Sequence, residues 1–246
     1  PSTFTQVHSA KCEPVVMDTR FNSFVTDIFR NEYLSPRSPY TTLQIPKQGI
    51  GEWCHPLHTV DINDAGLRAS VQNGILNTEL GIPFRTPAEG HNVAFTSLWD
   101  NYPDSLEIPL KGKASRAYLL MAGSTNHMQC HIDNGVIRIY YKDGTRDVMF
   151  LRNPDNWPPI EHIFFEDGLA FNRHTPALYR LRLKTGEISN NFGEELGFPG
   201  ASRELDGGAA VLLEMPLNPG KKLSHLVLET LSNDVVIGLM SITLQR

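Results

Sequence analysis

The sequence predicts an all-β chain, a two-sheet antiparallel β-sandwich with a short N-terminal helix. Three observations carry this. Short apolar runs recur along the 246 residues, many with period-two alternation. Turn dipeptides such as Asn73-Gly74, Asn134-Gly135 and Asp143-Gly144 separate them. One segment alone, Phe21 to Arg30, places its apolar residues (Phe21, Phe24, Val25, Ile28, Phe29) at helical spacing. No repeat of 20–50 residues recurs, which argues against a propeller or solenoid.

Residues 1–46 read as an N-terminal extension or linker carrying that helix, and residues 47–246 as the sandwich. Pro36, Pro39 and Pro46 mark an extended connection, with a strand expected at Thr41–Ile45. Gly49–Pro56 is turn-rich. Leu57–Ile62 alternates as a half-buried strand, and Asn63–Gly66 is a turn. Leu67–Val71 and Ile75–Leu80 are strand candidates around Asn73-Gly74. Ile82-Pro83-Phe84 fits an edge strand, because proline has no N–H for a central ladder. Asn92–Trp99 and Leu106–Leu110 are strands on either side of the Asp100–Asp104 loop.

The centre, Ala114 to Glu161, reads as an antiparallel meander. Its runs are Ala117–Met121, Val136–Tyr141 and Val148–Leu151, joined at Asn134-Gly135 and Asp143-Gly144. His162–Phe171 follows, with a turn near Asp167-Gly168. Leu178–Leu183 alternates strictly, and Glu187–Gly208 has the composition of a long surface loop. The runs Ala209–Met215, Leu223–Leu231 and Val235–Leu244 complete the chain.

A net charge of −5 with Lys and Arg scattered argues against nucleic acid. No apolar run approaches the ~20 residues that span a bilayer, so no membrane insertion is expected. Cys12, Cys54 and Cys130 are an odd set and allow at most one disulfide within the chain.

Two loops carry the residues that sugars use. Asn153–Glu161 and Trp99–Asp104 combine an aromatic face with amides, carboxylates and prolines. Trp157 or Trp99 would be the stacking platform. Asn156, Asp155, Asp100 and Asn101 would bond hydroxyls, with Tyr102 in the second loop and Arg152 orienting an acidic sugar. This requires an exposed tryptophan; two buried ones would favour a bracing role. Glu161 is the weak acid/base candidate, because the preceding Trp-Pro-Pro-Ile would raise its pKa. Glu166, Asp167, Glu194 and Glu195 are further acidic residues without a defined spacing. Cys54-His55 with His58, and His127 with Cys130 and His131, have zinc-like content but lack a second well-spaced pair, so no metal site is read. Asp61–Gly66 opens like a calcium loop and fails at Ala65 and Gln72; structural calcium held by loop carbonyls is the remaining ion, and no other cofactor is expected. Nucleophile-elbow, P-loop and dinucleotide motifs are absent.

Six segments occur in one order: GIPFRTP (Gly81–Pro87), SLWDNYPDS (Ser97–Ser105), LLMAGSTNHMQ (Leu119–Gln129), YKDGT (Tyr141–Thr145), RNPDNWPPIE (Arg152–Glu161) and NDVVIGLMSITLQR (Asn233–Arg246). Together they resemble the C-terminal β-sandwich region of large, uncharacterised Bacteroidetes proteins regarded as glycoside hydrolases with a separate helical-barrel catalytic region. The broader pattern is similar to jelly-roll, galactose-binding-like accessory sandwiches. The resemblance implies a periplasmic or secreted setting and a carbohydrate context, with a polysaccharide or an adjacent catalytic domain of the parent polypeptide as partner. The first expectation is therefore a non-catalytic accessory sandwich that binds glycan weakly or braces a catalytic domain. The alternatives are a β-sandwich glycoside hydrolase or lyase in its own right, and a purely structural or interaction domain.

Overall fold

A computed structural model describes residues 11–30, 61–99, 101–125, 129–163, 172–192, 204–233 and 235–246. The fold is all-β and sandwich-like, as the runs predict. One sheet holds seven strands: β1 (Cys12–Pro14), β5 (Ala94–Ser97), β7 (Arg116–Thr125), β10 (Arg180–Arg182), β11 (Ile188–Ser189), β12 (Ala209–Pro216) and β14 (Val235–Gln245). A second sheet orders β6 (Ser105–Pro109), β13 (Leu223–Thr230), β8 (Gly135–Tyr141) and β9 (Arg146–Leu151). A third, small sheet is built from β2 (Val71–Gln72), β3 (Ile75–Asn77) and β4 (Pro83–Arg85). Every strand pair is antiparallel.

The seven-stranded sheet is covered on both faces. Ala117, Leu119 and Met121 of β7 enter the core shared with the four-stranded sheet. Tyr118, Leu120 and Ala122 enter a second core beneath the small sheet. Burial on both faces makes β7, β12 and β14 near-continuous apolar runs rather than alternating ones. In β14 the register shifts between Leu239 and Ser241. That bulge keeps Ile242 and Leu244 on the same core face as Ile237 and Leu239.

Several expectations are corrected. The three central runs do not form one meander. β7 pairs with β12 and β14, whereas β8 and β9 lie in the opposite sheet. Asn134-Gly135 is a crossing between sheets. Asn134 is buried, accepts a bond from Thr125 Oγ1 (3.0 Å) and donates to Gln129 O (3.1 Å). Gly135 packs so closely that a Cβ would lie 2.2 Å from Ile237 Cδ1. Asp143-Gly144 does turn a hairpin, with Gly144 at φ +83°.

Leu67–Val71 is mostly helix: α1 spans Ala65–Ala69. An Asx turn, Ala65 N–H to Asn63 Oδ1 at 3.0 Å, leads into it, and Asp64 accepts from Arg68 Nε at 2.8 Å. The acidic start of that loop thus serves the helix. The short N-terminal helix is a single 3-10 turn, Val25–Asp27, with Val25 and Ile28 buried. Within the N-terminal 46 residues, β1 pairs with β14 and Met17 lies in the main core, while the boundary at residue 46 lies outside the described residues. Thr41–Ile45, Gly49–Pro56, Cys54, His55, His58, Asp100, His127, Glu166, Asp167, Glu194 and Glu195 lie outside the described residues.

Candidate functional site

The polar loops converge at the end of the sandwich where β7 stops and β8 begins. Their first organiser is Trp157, which is 0 % exposed. Its ring lies over Gly123 of β7, where a Cβ would meet indole carbon Cζ2 at 2.6 Å. Trp99 is 4 % exposed and donates from Nε1 to Asn233 O at 3.3 Å. Tyr102 is buried against Phe95, with ring centroids 5.1 Å apart. None of the three offers a face to a sugar, which corrects the stacking-platform expectation. The physical reason is that each large ring gains more by filling the sandwich end than by standing in water.

The loop polar groups are also committed within the chain. Asn156 Oδ1 accepts from Arg152 N (2.7 Å), and its Nδ2 donates to Phe150 O (2.8 Å). Arg152 Nε donates to Asp133 Oδ1 at 2.6 Å, with its guanidinium over the Phe150 ring. Asp155 Oδ1 accepts from His174 N at 2.7 Å, and its backbone oxygen accepts from Thr175 Oγ1 at 2.6 Å. Asn101 is half-buried beside Tyr102.

Glu161 sits beneath this end and is 5 % exposed. Burial pushes its carboxyl up to about 7; Glu204 adds to the rise and Arg180 opposes it. Its Oε2 finds no partner among the described residues. Arg180 is buried too, and its guanidinium donates to the carbonyls of His162 (2.5 Å), Pro159 (2.7 Å) and Ala209 (2.9 Å). Burial lowers its pKa from the usual guanidinium range. Arg180 is thus an internal clamp on three backbone segments, and Glu161 lacks the solvent access that proton exchange with a substrate needs.

Closer to the surface, His131 and His174 stack with centroids 4.5 Å apart and planes at 28°. Each presents Nδ1 to the same oxygen, Asp155 Oδ2, at 3.6 Å. His131 stands at φ +55°, and its N–H donates to Asn153 O at 2.7 Å. Its Nε2 is buried without a partner among the described residues. This trio is the one group of metal-ligating side chains that converges among the described residues. The sequence shows His131 beside Cys130 and His127. It gives no signal for His174, a loop histidine far away in the chain, nor for Arg180, which reads as one more residue of an alternating strand.

A second feature is the outer face of the four-stranded sheet. Val148 and Phe150 of the edge strand β9 are 41 % and 42 % exposed. Beside them Tyr140 stacks on His225 (4.7 Å, 13°), with the Arg146 guanidinium over Tyr140. A cleft of about 370 Å³ opens between β1 and β6, but its Arg246 guanidinium is tied to Glu13 and to the carbonyls of Lys111 and Lys113.

No protein-family model, curated protein or solved structure matches the chain. No helix among the described residues is long and apolar enough to cross a membrane.

Proposed function

We propose that this chain is a non-catalytic accessory β-sandwich of a carbohydrate-active protein, and that it braces a neighbouring domain of its parent polypeptide. The carrying observation is that both tryptophans of the sugar-type loops are buried. The amides and carboxylates around them cap backbone or pair internally. Loops organised this way stiffen the end of a sandwich instead of stacking on a sugar. The carbohydrate context rests on the six ordered segments and on the residue types of the two loops. The exposed pair Val148 and Phe150, on a strand that is the sheet edge among the described residues, is the surface a neighbouring domain would cover.

A second reading is favoured by the same face. Tyr140 and His225 with Arg146 over the Tyr140 ring, and Phe150 beneath Arg152, put aromatic rings and guanidinium groups on one face of the kind an acidic glycan uses, although Arg138 and Arg152 are already paired with Glu229 and Asp133. Affinity electrophoresis of the full chain through neutral and uronate-rich polysaccharides separates the two. Bracing expects no retardation in either gel. Retardation that Tyr140→Ala or Phe150→Ala removes would replace bracing with glycan binding on the sheet face. In the bracing case, a neighbouring domain supplied in trans forms a complex that Val148→Glu with Phe150→Glu disrupts. Failure to form any such complex overturns it.

A further inference from the structure

We propose that His131, Asp155 and His174 bind one divalent transition-metal ion of the zinc class, a role independent of the bracing function. The three donors come from three loops: the β7–β8 crossing, the segment after β9, and the connection into β10. Their ligand atoms all lie within 4.8 Å of one another. Both imidazole Nδ1 atoms stand 3.6 Å from Asp155 Oδ2. That is beyond a good N–H···O hydrogen bond. It is close to the edge, about 3.4 Å, of a tetrahedron with bonds of about 2.0–2.1 Å. The three atoms therefore surround a point instead of closing on one another. The two rings lie stacked, and both bring Nδ1 to Asp155 Oδ2.

The supports of the trio are fixed independently of any ion. Asp155 is oriented by the His174 N–H on Oδ1, which leaves Oδ2 for the site. His131 is held by its left-handed backbone and the bond from its N–H to Asn153 O. Such support of ligands by neighbouring groups is what gives a metal site its geometry. Two imidazoles and one carboxylate suit zinc, cobalt, nickel or copper; calcium and magnesium favour all-oxygen sets. His174 is 64 % exposed, so a fourth position faces solvent and would take water. The ion would cross-link the three loops over the buried Trp157 end.

Equilibrium dialysis of the untagged full chain against Zn²⁺, with metal counted by mass spectrometry, tests this. One tightly held ion per chain is expected, undisturbed by millimolar Ca²⁺ or Mg²⁺. His174→Ala, on an exposed side chain, should fold as the parent does by circular dichroism yet bind at least about tenfold more weakly. His131→Ala should weaken binding likewise, and His174→Cys, which restores a ligand, should retain it. Stoichiometric binding that neither alanine variant weakens, or no binding at micromolar Zn²⁺, would overturn the assignment.

Discussion

The Trp157 indole occupies the space that a side chain on Gly123 would fill. A Cβ there would stand 2.6 Å from the ring and 2.1 Å from Val236 O. β7 therefore carries a glycine where its apolar run ends. Trp157→Ala should cost about 3–5 kcal/mol, since it empties a fully buried aromatic site. Trp157→Phe should cost less, because the indole N–H it removes has no partner among the described residues. Gly123→Ala should be destabilising even beside Trp157→Ala, because the Val236 carbonyl is backbone and stays where it is. Urea unfolding of the four variants measures these differences.

Gly135 is a second close approach, of a different kind. Its hypothetical Cβ meets the tip of a side chain, Ile237 Cδ1 at 2.2 Å. Gly135→Ala should cost about 1–3 kcal/mol by overpacking. Ile237→Val, which removes that methyl, should recover part of the loss in the double variant. A double-mutant cycle checks it, and simple additivity of the two losses would refute the contact.

These two glycines show why strands were legible and sheet membership was not. Apolar runs located β8, β9, β12, β13 and β14 to within a residue or two. The same Asn-Gly signal had two outcomes. Asn73 and Gly74 take φ 52° and 77° and turn a hairpin. Asn134-Gly135 does not, because the Asn134 side chain is bonded to Thr125 and Gln129. A dipeptide records what a turn allows; distant packing decides whether one forms. The tryptophan loops misled for a related reason, since a ring that would stack on sugar equally well fills a sandwich end. Asp155 stands out in the sequence by residue type and sits in the converging trio. Its partners are invisible in sequence, because ligands from three loops have no fixed spacing.

Stability should fall as pH rises through the titration of Glu161. Its carboxyl is raised from 4.5 to about 7 in the folded chain. The folded state thus holds the proton more tightly than the unfolded state. The resulting stabilisation is full below about pH 4.5 and lost above about pH 7. At about 1.4 kcal/mol per unit it is worth roughly 2–4 kcal/mol. Glu161→Gln should flatten the slope across that window and be the more stable protein at pH 8. Denaturant midpoints measured at several pH values for both proteins test the sign; a parent whose stability rises more steeply than the variant's through this range would contradict it.

Arg180 fixes where that window ends. Its charge lowers the Glu161 pKa, against the larger effect of burial. Arg180→Met should therefore push the Glu161 titration above 7 and move the pH-dependent loss of stability the same way. It should also leave the carbonyls of Pro159, His162 and Ala209 without their donor, at a cost of at least about 2 kcal/mol. The two effects separate by pH. The lost bonds destabilise at every pH, whereas the Glu161 contribution is absent at low pH, grows between the parent's titration and the variant's, and stays constant above both. Carboxyl titration followed by carbon NMR on Glu161 in both proteins reads the shift directly. An unchanged or lowered midpoint in Arg180→Met would show that the guanidinium holds the loops without acting on the carboxylate.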